Sequence, residues 1–579
     1  SFYMRRIRRI LPALYTTLAF TIIASWFVLF PKNFVDFTDA LAGSILFLAN
    51  AILMNQSSGY FAETLTNHPL LHMWSLSIEE QFYLFFPLLF LALYRFTVAT
   101  QLIFLLLLSV ASLTLAEYYF SISPSATFFH LPGRVFEFLI GVAAFRSKYI
   151  VDAYLNKTQL TALNFVGLVF ILGSILLFKE SVPVPSAWVL VPLIGCFLVL
   201  SCEIEEGWFN LVLSNKFLVF LGGISFSLYL IHQPVLALAR YQGFDSRLML
   251  TGLIMLVVLP LAYLQYRFIE SSLRNKNRFS DKFLITFVFL GGLFFLSFAY
   301  VTKLKGGFPA RFGGGLLSAL ETSIGSPLRD RCTYDRDSFR KLRLDCSYFG
   351  GPSLFAVLGD SHSVALSYAL AQAVEVRMGR SITQYSFSGC SSPMGSSERD
   401  PCRSWTNSVL EQIKESPSVR YVVLSYRLQS ALHGKHREIF PLIPNEKSEI
   451  HTAETWRSLI DLMSIIESMN KTVIWVRQPP EVGEPMNDLF HSLSQTIKDA
   501  SSVSLDWWEL RRAWSNEHMH MIPDSVIVVD PAKLLCDQRK CNAIIGNTSM
   551  YRDQDHLSLS GASLIVNELL NIVKKDEMR

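Results

Sequence analysis

The sequence predicts a multi-span α-helical membrane domain followed by an α/β domain, a three-layer sandwich around a parallel sheet. Three observations carry this. Hydrophobic residues make up 51% of the 579 and charged residues only 17%, against roughly 25% charged in an average soluble protein. The shortage of charge falls almost wholly before residue 302. From residue 353 onward, short apolar runs alternate with helical patterns, as they do where crossover helices connect parallel strands.

Apolar stretches approaching the roughly 20 residues of a bilayer span occur at 10–30, 38–55, 80–96, 100–118, 133–147, 160–178, 186–203, 217–239, 247–269 and 283–302. Basic residues gather in the short loops: Arg5, Arg6, Arg8 and Arg9, then Arg146 and Lys148, then Arg274, Lys276, Arg278 and Lys282. Such loops face the cytoplasm. The first and last stretches must therefore both leave the cytoplasm, which nine spans satisfy and ten do not. The stretch 38–55 is short and interrupted by Gly43, Ser44 and Asn50, so it is expected to be re-entrant or interfacial. Everything after residue 302 then lies outside the cytoplasm. The chain opens on Ser1 and shows no signal peptide; it is expected to begin part-way into a longer protein.

Of the eight cysteines, Cys196 and Cys202 fall in an apolar stretch and read as packing residues. The other six form close pairs, Cys332 with Cys346, Cys390 with Cys402 and Cys536 with Cys541. Paired cysteines predict disulfides and an oxidising compartment, and with no CxxC or Cys/His cluster no metal is expected. The net charge of +4, without a basic stripe interleaved with aromatics, argues against nucleic acid as a partner.

Residues 303–352, with Gly306-Gly307 and Gly313-Gly314-Gly315 ahead of a charged stretch, read as a linker and lead-in. Beyond it, 354–358, 421–425, 472–476 and 525–529 read as strands, and 364–374, 453–469 and 561–573 as helices. Ser361 follows the first of these strands in Gly359-Asp360-Ser361-His362-Ser363, and Asp553-Gln554-Asp555-His556 stands near the C-terminus. A nucleophilic serine needs a base within hydrogen-bond reach and a third group to orient that base. His556 can be the base and Asp553 the orienting acid. Asp555 is the alternative acid, although adjacent residues seldom reach the ring. The bland alternative is a turn serine with a helix-capping Asp and His.

On these residues the C-terminal part resembles the SGNH domains fused to acyltransferase-3 membrane proteins. The resemblance makes Ser361, Asp553 and His556 a catalytic triad. It matches Gly389, in Ser386-Phe387-Ser388-Gly389-Cys390, to the glycine whose N–H joins the oxyanion hole. The asparagine of the family's third block is not evident; that place reads Ser425-Tyr426-Arg427, leaving Ser425 or Arg427 as substitutes. Tyr551-Arg552-Asp553 also resembles the fused subfamily.

The membrane part carries further matching strings: Arg5-Arg6-Ile7-Arg8-Arg9, Trp74-Ser75-Leu76-Ser77-Ile78-Glu79-Glu80-Gln81-Phe82-Tyr83, Arg134-Val135-Phe136-Glu137, Ser227-Leu228-Tyr229-Leu230-Ile231-His232-Gln233-Pro234 and Tyr266-Arg267-Phe268-Ile269-Glu270. An ionised group deep in a bilayer costs roughly 2.5–3.5 kcal/mol even on lenient scales, so Glu80, Arg134, Glu137 and His232 are candidates for a membrane site. Arg5, Arg6, Arg8 and Arg9 are candidates for binding the phosphates of an acyl-CoA, or else a positive-inside anchor. The bland alternatives are that Arg134 and Glu137 neutralise each other across one helix turn and that His232 is a hydrogen-bonded helix-end histidine. Two departures stand out. Family members usually begin with two more spans, one bearing a histidine regarded as catalytic, and the usual Ile-Glu-x-Pro-x-Arg reads Ile269-Glu270-Ser271-Ser272-Leu273-Arg274.

The resemblance divides the chain into an acyltransferase-3 domain (1–274), an additional transmembrane helix (275–302), a periplasmic linker (303–352) and an SGNH domain (353–579). It implies a bacterial inner-membrane O-acetyltransferase with acetyl-CoA as donor and no bound cofactor. Its partners are membrane lipid and a cell-surface polysaccharide, lipopolysaccharide O-antigen ahead of peptidoglycan. The rival readings are a membrane-tethered esterase, and a transporter or receptor with a non-catalytic glycan-binding domain.

Overall fold

The structure, a computed structural model, describes residues 2–577 apart from 58–64, 121–122, 180–181, 203–213, 245, 277, 335–345, 393, 395–399, 435–439, 445, 484–485, 487–488 and 491–500. It divides into two compact units, Ser1–Pro309 and Ala310–Arg579.

The first unit is helical. Among the described residues seven helices are long and apolar enough to cross a membrane: Phe2–Val28, Met73–Leu93, Val98–Phe120, Lys157–Leu177, Lys216–Tyr241, Arg247–Arg274 and Asp281–Leu304. The expected count of nine included two more segments. Helix Val135–Tyr154 has the length but carries Glu137, Arg146, Lys148 and Asp152, and Ala187–Ser201 is short. The stretch 38–55 is broken, with helices Pro31–Ile45 and Ala49–Ser57 meeting at Phe47, whose φ is +54°. Gly43 permits this fold-back, because a Cβ there would stand 2.7 Å from Ile52 Cδ1 and 3.0 Å from Ala49 Cα.

Large apolar side chains such as Leu176, Leu256 and Phe289 are exposed on the outside, whereas small and polar groups meet inside, as lipid-facing bundles require. Gly167 and Gly195 bring two helices into near-backbone contact. Inside, Thr17 Oγ1 donates to Gln265 Oε1 (3.0 Å) and Ser227 Oγ to Glu270 Oε2 (3.1 Å).

The second unit is a three-layer α/β sandwich. Its strands are β1 (Thr333–Tyr334), β2 (Cys346–Ser347), β3 (Ser353–Gly359), β4 (Ser381–Phe387), β5 (Tyr421–Ser425), β6 (Thr472–Val476), β7 (Ser501–Ser504), β8 (Ile527–Val529) and β9 (Lys540–Asn542). The main sheet runs β1-β4-β3-β5-β6-β8, all parallel, with β2 antiparallel on β4; β7 and β9 pair separately. Strands covered on both faces read as continuous apolar runs, and β3, β5 and β6 do. Ala356, Leu358, Val422, Leu424, Val473 and Trp475 pack with helices Pro401–Glu415 and Glu449–Ser468. Helices Ser363–Met378 and Leu559–Glu577 pack against each other, and the former also lies on β3 and β4.

Of the expected linker, 303–309 belong to the first unit and the described residues from 310 onward to this fold. Residues 310–334 and 346–352 supply β1, β2 and helix Gly314–Thr322, while 335–345 lie outside the described residues. All three expected disulfides are formed, Cys332–Cys346, Cys390–Cys402 and Cys536–Cys541, and Cys196 and Cys202 are free.

Candidate active site

The chain leaves β3 for β4 on one side and returns to β5 on the other. In such a sheet the crevice at the carboxyl ends of the diverging strands is where ligands bind. Ser361 stands there, two residues past Gly359, which is in register with Ser386 of β4 and Ser425 of β5. Only glycine fits at 359, since a Cβ would lie 1.9 Å from the Ser425 carbonyl oxygen.

Asp360, buried beneath the turn, gathers the three loops at this end. Its Oδ1 accepts the His362 N–H (2.9 Å), and its Oδ2 accepts the Ser391 hydroxyl (2.9 Å) and the Arg427 N–H (2.8 Å). Burial alone would raise its pKa; the charge of His362 and the hydrogen bonds from His362 and Arg427 outweigh burial and lower it.

The Ser361 hydroxyl lies 2.7 Å from Nε2 of His556. On the other side of the ring, Nδ1 is 3.0 Å from Asp553 Oδ1 and 2.6 Å from Asp555 Oδ1. Two carboxylates at Nδ1 keep a proton there, so in the neutral ring Nε2 faces Ser361 as an acceptor. Asp555 thus reaches the ring after all. Asp553 Oδ1 also accepts the N–H groups of Asp555 (3.2 Å) and His556 (2.8 Å), and this curl turns Asp555 back beneath the imidazole. The far oxygen of Asp555 is paired with Arg427 Nη2 at 2.5 Å.

Burial would lower the pKa of His556, but Asp553 first and Asp555 second raise it to about 9. Asp555 itself is held well below the carboxylate range, against burial, by His556 and Arg427. The His362 ring lies against that of His556, centroids 4.3 Å apart. His362, Asp555 and His556 place ligand atoms within 4.8 Å of one another. Both His556 nitrogens already have partners, however, and the arrangement suits proton transfer better than cation binding.

Gly389 follows β4 in a turn with φ +81°, beside the Cys390–Cys402 bridge. It lies at the same end of the sheet as Ser361. Helix Ser363–Met378 begins two residues after Ser361, and its N-terminal end favours negative charge developing nearby. The arrangement can activate a hydroxyl, transfer its proton and stabilise an oxyanion.

In the first unit the candidate residues form separate groups. Arg6 pairs with Glu80 (2.9 Å) and Glu79 (2.5 Å) and lies 3.5 Å over the Tyr83 ring. Arg8 is buried, bonded to Asp281 (2.6 Å) and to the carbonyls of Leu273 and Phe279. It is a clasp between helices with no face left for an acyl-CoA phosphate. Arg5 and Arg9 are exposed. Arg134 lies against the paired Trp74 and Phe128 rings, 5.1 and 4.8 Å from their centroids, and pairs with Glu137 at 2.8 Å. Glu137 also lines an apolar groove with Phe82, Phe86, Phe90 and Phe138. The His232 Nδ1–H donates to the Tyr229 carbonyl (2.7 Å), and its ring stands 5.3 Å from that of His72. Among the described residues no hydrogen bond joins Glu80, Arg134 and His232 to one another.

Residues 331–571 match the family described as an SGNH domain fused to AT3 domains, and residues 1–267 match the family described as an acyltransferase domain. The chain belongs to the acyltransferase–SGNH fusions. A putative O-acetyltransferase of Staphylococcus aureus (strain COL) is 27% identical to this fusion over 297 residues, 48% of each chain. The O-acetyltransferase OatA of Staphylococcus aureus (strain NCTC 8325 / PS 47) is 25% identical over 328 residues, 53% of this chain and 50% of its own. The chain spans about half the length of these curated relatives. Among solved structures, the periplasmic domain of a Salmonella ser. Paratyphi A lipopolysaccharide acetyltransferase aligns with 39% of this chain and 85% of its own, at 16% identity and TM-score 0.30.

Sequence reasoning passed over His72 and Arg329 in this fusion, and it quoted Ser75, Tyr229 and Arg552 within matching strings without giving them a role. His72 is buried, its ring 5.0 Å from that of Tyr229 and 5.3 Å from that of His232, and Ser75 contacts the Tyr229 hydroxyl at 2.8 Å. A histidine two residues ahead of the Trp74 string was the available signal. Arg329 and Arg552 line the cleft at Ser361; Arg329 lay in the expected linker, where no motif marked it.

Proposed function

We propose that this protein is an O-acetyltransferase of the bacterial inner membrane, passing acetyl from cytoplasmic acetyl-CoA to a hydroxyl of an envelope glycan, the O-antigen of lipopolysaccharide foremost. The observation that carries this is Ser361 Oγ at 2.7 Å from His556 Nε2, in a chain that also holds an acyltransferase domain. Relatives bearing the name O-acetyltransferase support the reaction class. Three disulfides in the second unit support a periplasmic setting for it.

Ser361 Oγ attacks the acetyl carbonyl of the donor while its proton passes to Nε2. The oxyanion is met by the Gly389 N–H and the start of helix Ser363–Met378. Collapse breaks the bond to the leaving group, which takes the proton from His556. The glycan hydroxyl then attacks the acetyl-serine, gives its proton to Nε2, and Ser361 departs with that proton. Asp553 and Asp555 stabilise the imidazolium at both stages. Of the membrane candidates, Arg5 and Arg9 are the guanidiniums that the fold leaves exposed for acyl-CoA phosphates.

The test uses the full chain in detergent and its Ser361→Ala variant, each given an activated acetyl ester with and without saccharides, and products read by mass spectrometry. Acetyl appearing on the saccharide through Ser361 is the expected result. Acetate alone, whatever the saccharide, would make the protein an esterase. Absence of both turnover and acetyl-serine would overturn the proposal.

A further inference from the structure

The His556 imidazole is held at its edge. Asp553 and Asp555 meet Nδ1 at 3.0 and 2.6 Å, and the Ser361 hydroxyl lies 2.7 Å from Nε2. Contacts at two edge atoms leave the ring one motion, rocking about the line that joins them, because hydrogen bonds weaken steeply only below about 120°. Rocking swings the Nε2 lone pair out of line with the Ser361 proton. Stopping it takes a contact on the face of the ring.

His362 makes that contact. Its ring lies 4.3 Å from that of His556, tilted by 32°, close to the offset stacking that flat rings adopt. The residue is buried and is itself secured: its N–H donates to Asp360 Oδ1 (2.9 Å), and its Nδ1 stands 3.4 Å from the same oxygen. Asp360 also accepts the Ser391 hydroxyl and the Arg427 N–H. Through His362, the carboxylate that gathers the loops at this end of the sheet also reaches the histidine loop. Both ring nitrogens of His362 are shut off from solvent, so neither is placed to exchange a proton with a substrate in the cleft.

Accepting Ser361 as the acyl-transfer nucleophile and His556 as its base, we infer that His362 is a positioning residue, whose ring fixes the plane of the His556 imidazole and keeps Nε2 aligned on the Ser361 hydroxyl. Its place in the chain suits this. It follows Ser361 directly and stands at the N-cap of helix Ser363–Met378, so serine and platform belong to one piece of backbone. The histidine arrives from a loop 195 residues beyond Ser361. Misplacing a reacting group by about 1 Å can cost about a hundredfold in rate, and here the loss falls on proton transfer rather than on binding.

The test uses the full chain in detergent. Hydrolysis of an activated acetyl ester is read as separate kcat and KM, and the rate at which a fluorophosphonate labels Ser361 is read beside it. His362→Gln keeps the bulk but removes the flat face; kcat and the labelling rate are each expected to fall about tenfold or more, with KM unchanged. His362→Phe restores a flat face without either nitrogen and is expected to recover most of both. Urea unfolding followed by tryptophan fluorescence checks that each variant is folded where it is assayed. A His362→Gln variant as fast as the wild type would overturn the inference, as would a folded His362→Phe variant no faster than His362→Gln. A rise in KM with kcat intact would overturn it too, by placing His362 in substrate binding. If the phenylalanine variant does not fold, the glutamine comparison decides alone. A wild type that neither hydrolyses the ester through Ser361 nor takes the label there would instead sink the acyl-transfer reading, and the platform with it.

Discussion

Asp555 stands 2.6 Å from Nδ1 of His556, nearer than Asp553 at 3.0 Å, so the imidazole sits between two acids and one serine. The second acid changes the expected chemistry. With its pKa raised to about 9, His556 is mostly imidazolium at neutral pH, and only the neutral fraction can take the Ser361 proton.

The rate of Ser361-dependent ester cleavage, as kcat/KM, is therefore expected to climb about tenfold per pH unit and level off near pH 9. Two variants should move that limb in opposite directions. Asp555→Asn removes a carboxylate that favours the imidazolium, so the limb shifts to lower pH. Arg427→Gln removes the cation that offsets Asp555, so the limb shifts upward. A purely structural Arg427 would lower the rate at every pH without moving the limb.

The same ionisation bears on stability. His556 has a folded pKa of about 9 against roughly 6.5 unfolded. The folded state therefore binds the extra proton, and this contribution is complete below about pH 6.5 and lost as pH rises through about 9. Between those limits each pH unit is expected to remove up to about 1.4 kcal/mol. Urea unfolding followed by tryptophan fluorescence should show the decline, and His556→Gln should flatten it.

Asp360 should matter to both fold and rate. Asp360→Ala leaves the His362 N–H, the Ser391 hydroxyl and the Arg427 N–H without their common acceptor. At about 1–3 kcal/mol for each unsatisfied buried group, a loss of at least about 3 kcal/mol is expected in denaturant titration, together with loss of Ser361-dependent cleavage. Asp360→Asn keeps one acceptor oxygen and should fall between the two.

What the sequence displayed, and what it hid, follows from where each element finds its partners. Strands β3, β5 and β6 are apolar on both faces, so their runs are plain. Strand β4 is buried throughout yet reads Ser-Ile-Thr-Gln-Tyr-Ser-Phe. Its polar groups are answered from the lead-in segment and the start of β3: Thr383 by Ser347 and Ser353, and Gln384 by Tyr348 and the Cys332 carbonyl. Neither side of that match reads as structure alone, and for the same reason 303–352 read as a linker. The meeting of Asp553 with His556 was legible because Asp-x-x-His is a local spacing, whereas the approach of Asp555 depends on the curl that Asp553 imposes. Arg8 shows the long-range case: a basic cluster was evident, but its bond to Asp281 spans most of the first unit.

A last prediction concerns the buried pair of Glu481 and Arg511, 3.0 Å apart with both side chains wholly inaccessible. Gln478 Nε2 donates to Glu481 (3.0 Å), and Arg511 also donates to the Gly434 carbonyl (2.7 Å). Two charges taken out of water stabilise little as a pair, because desolvation offsets their attraction, but removing one leaves the other buried and uncompensated. Glu481→Leu is therefore expected to cost about 3–5 kcal/mol, read as a fall in the urea midpoint. The double variant Glu481→Leu/Arg511→Met exchanges the pair for apolar bulk and should recover most of that loss. If the double variant proved as unstable as the single, the pair would be needed for the hydrogen bonds to Gln478 and Gly434, which place the segment before Tyr551 and the histidine loop.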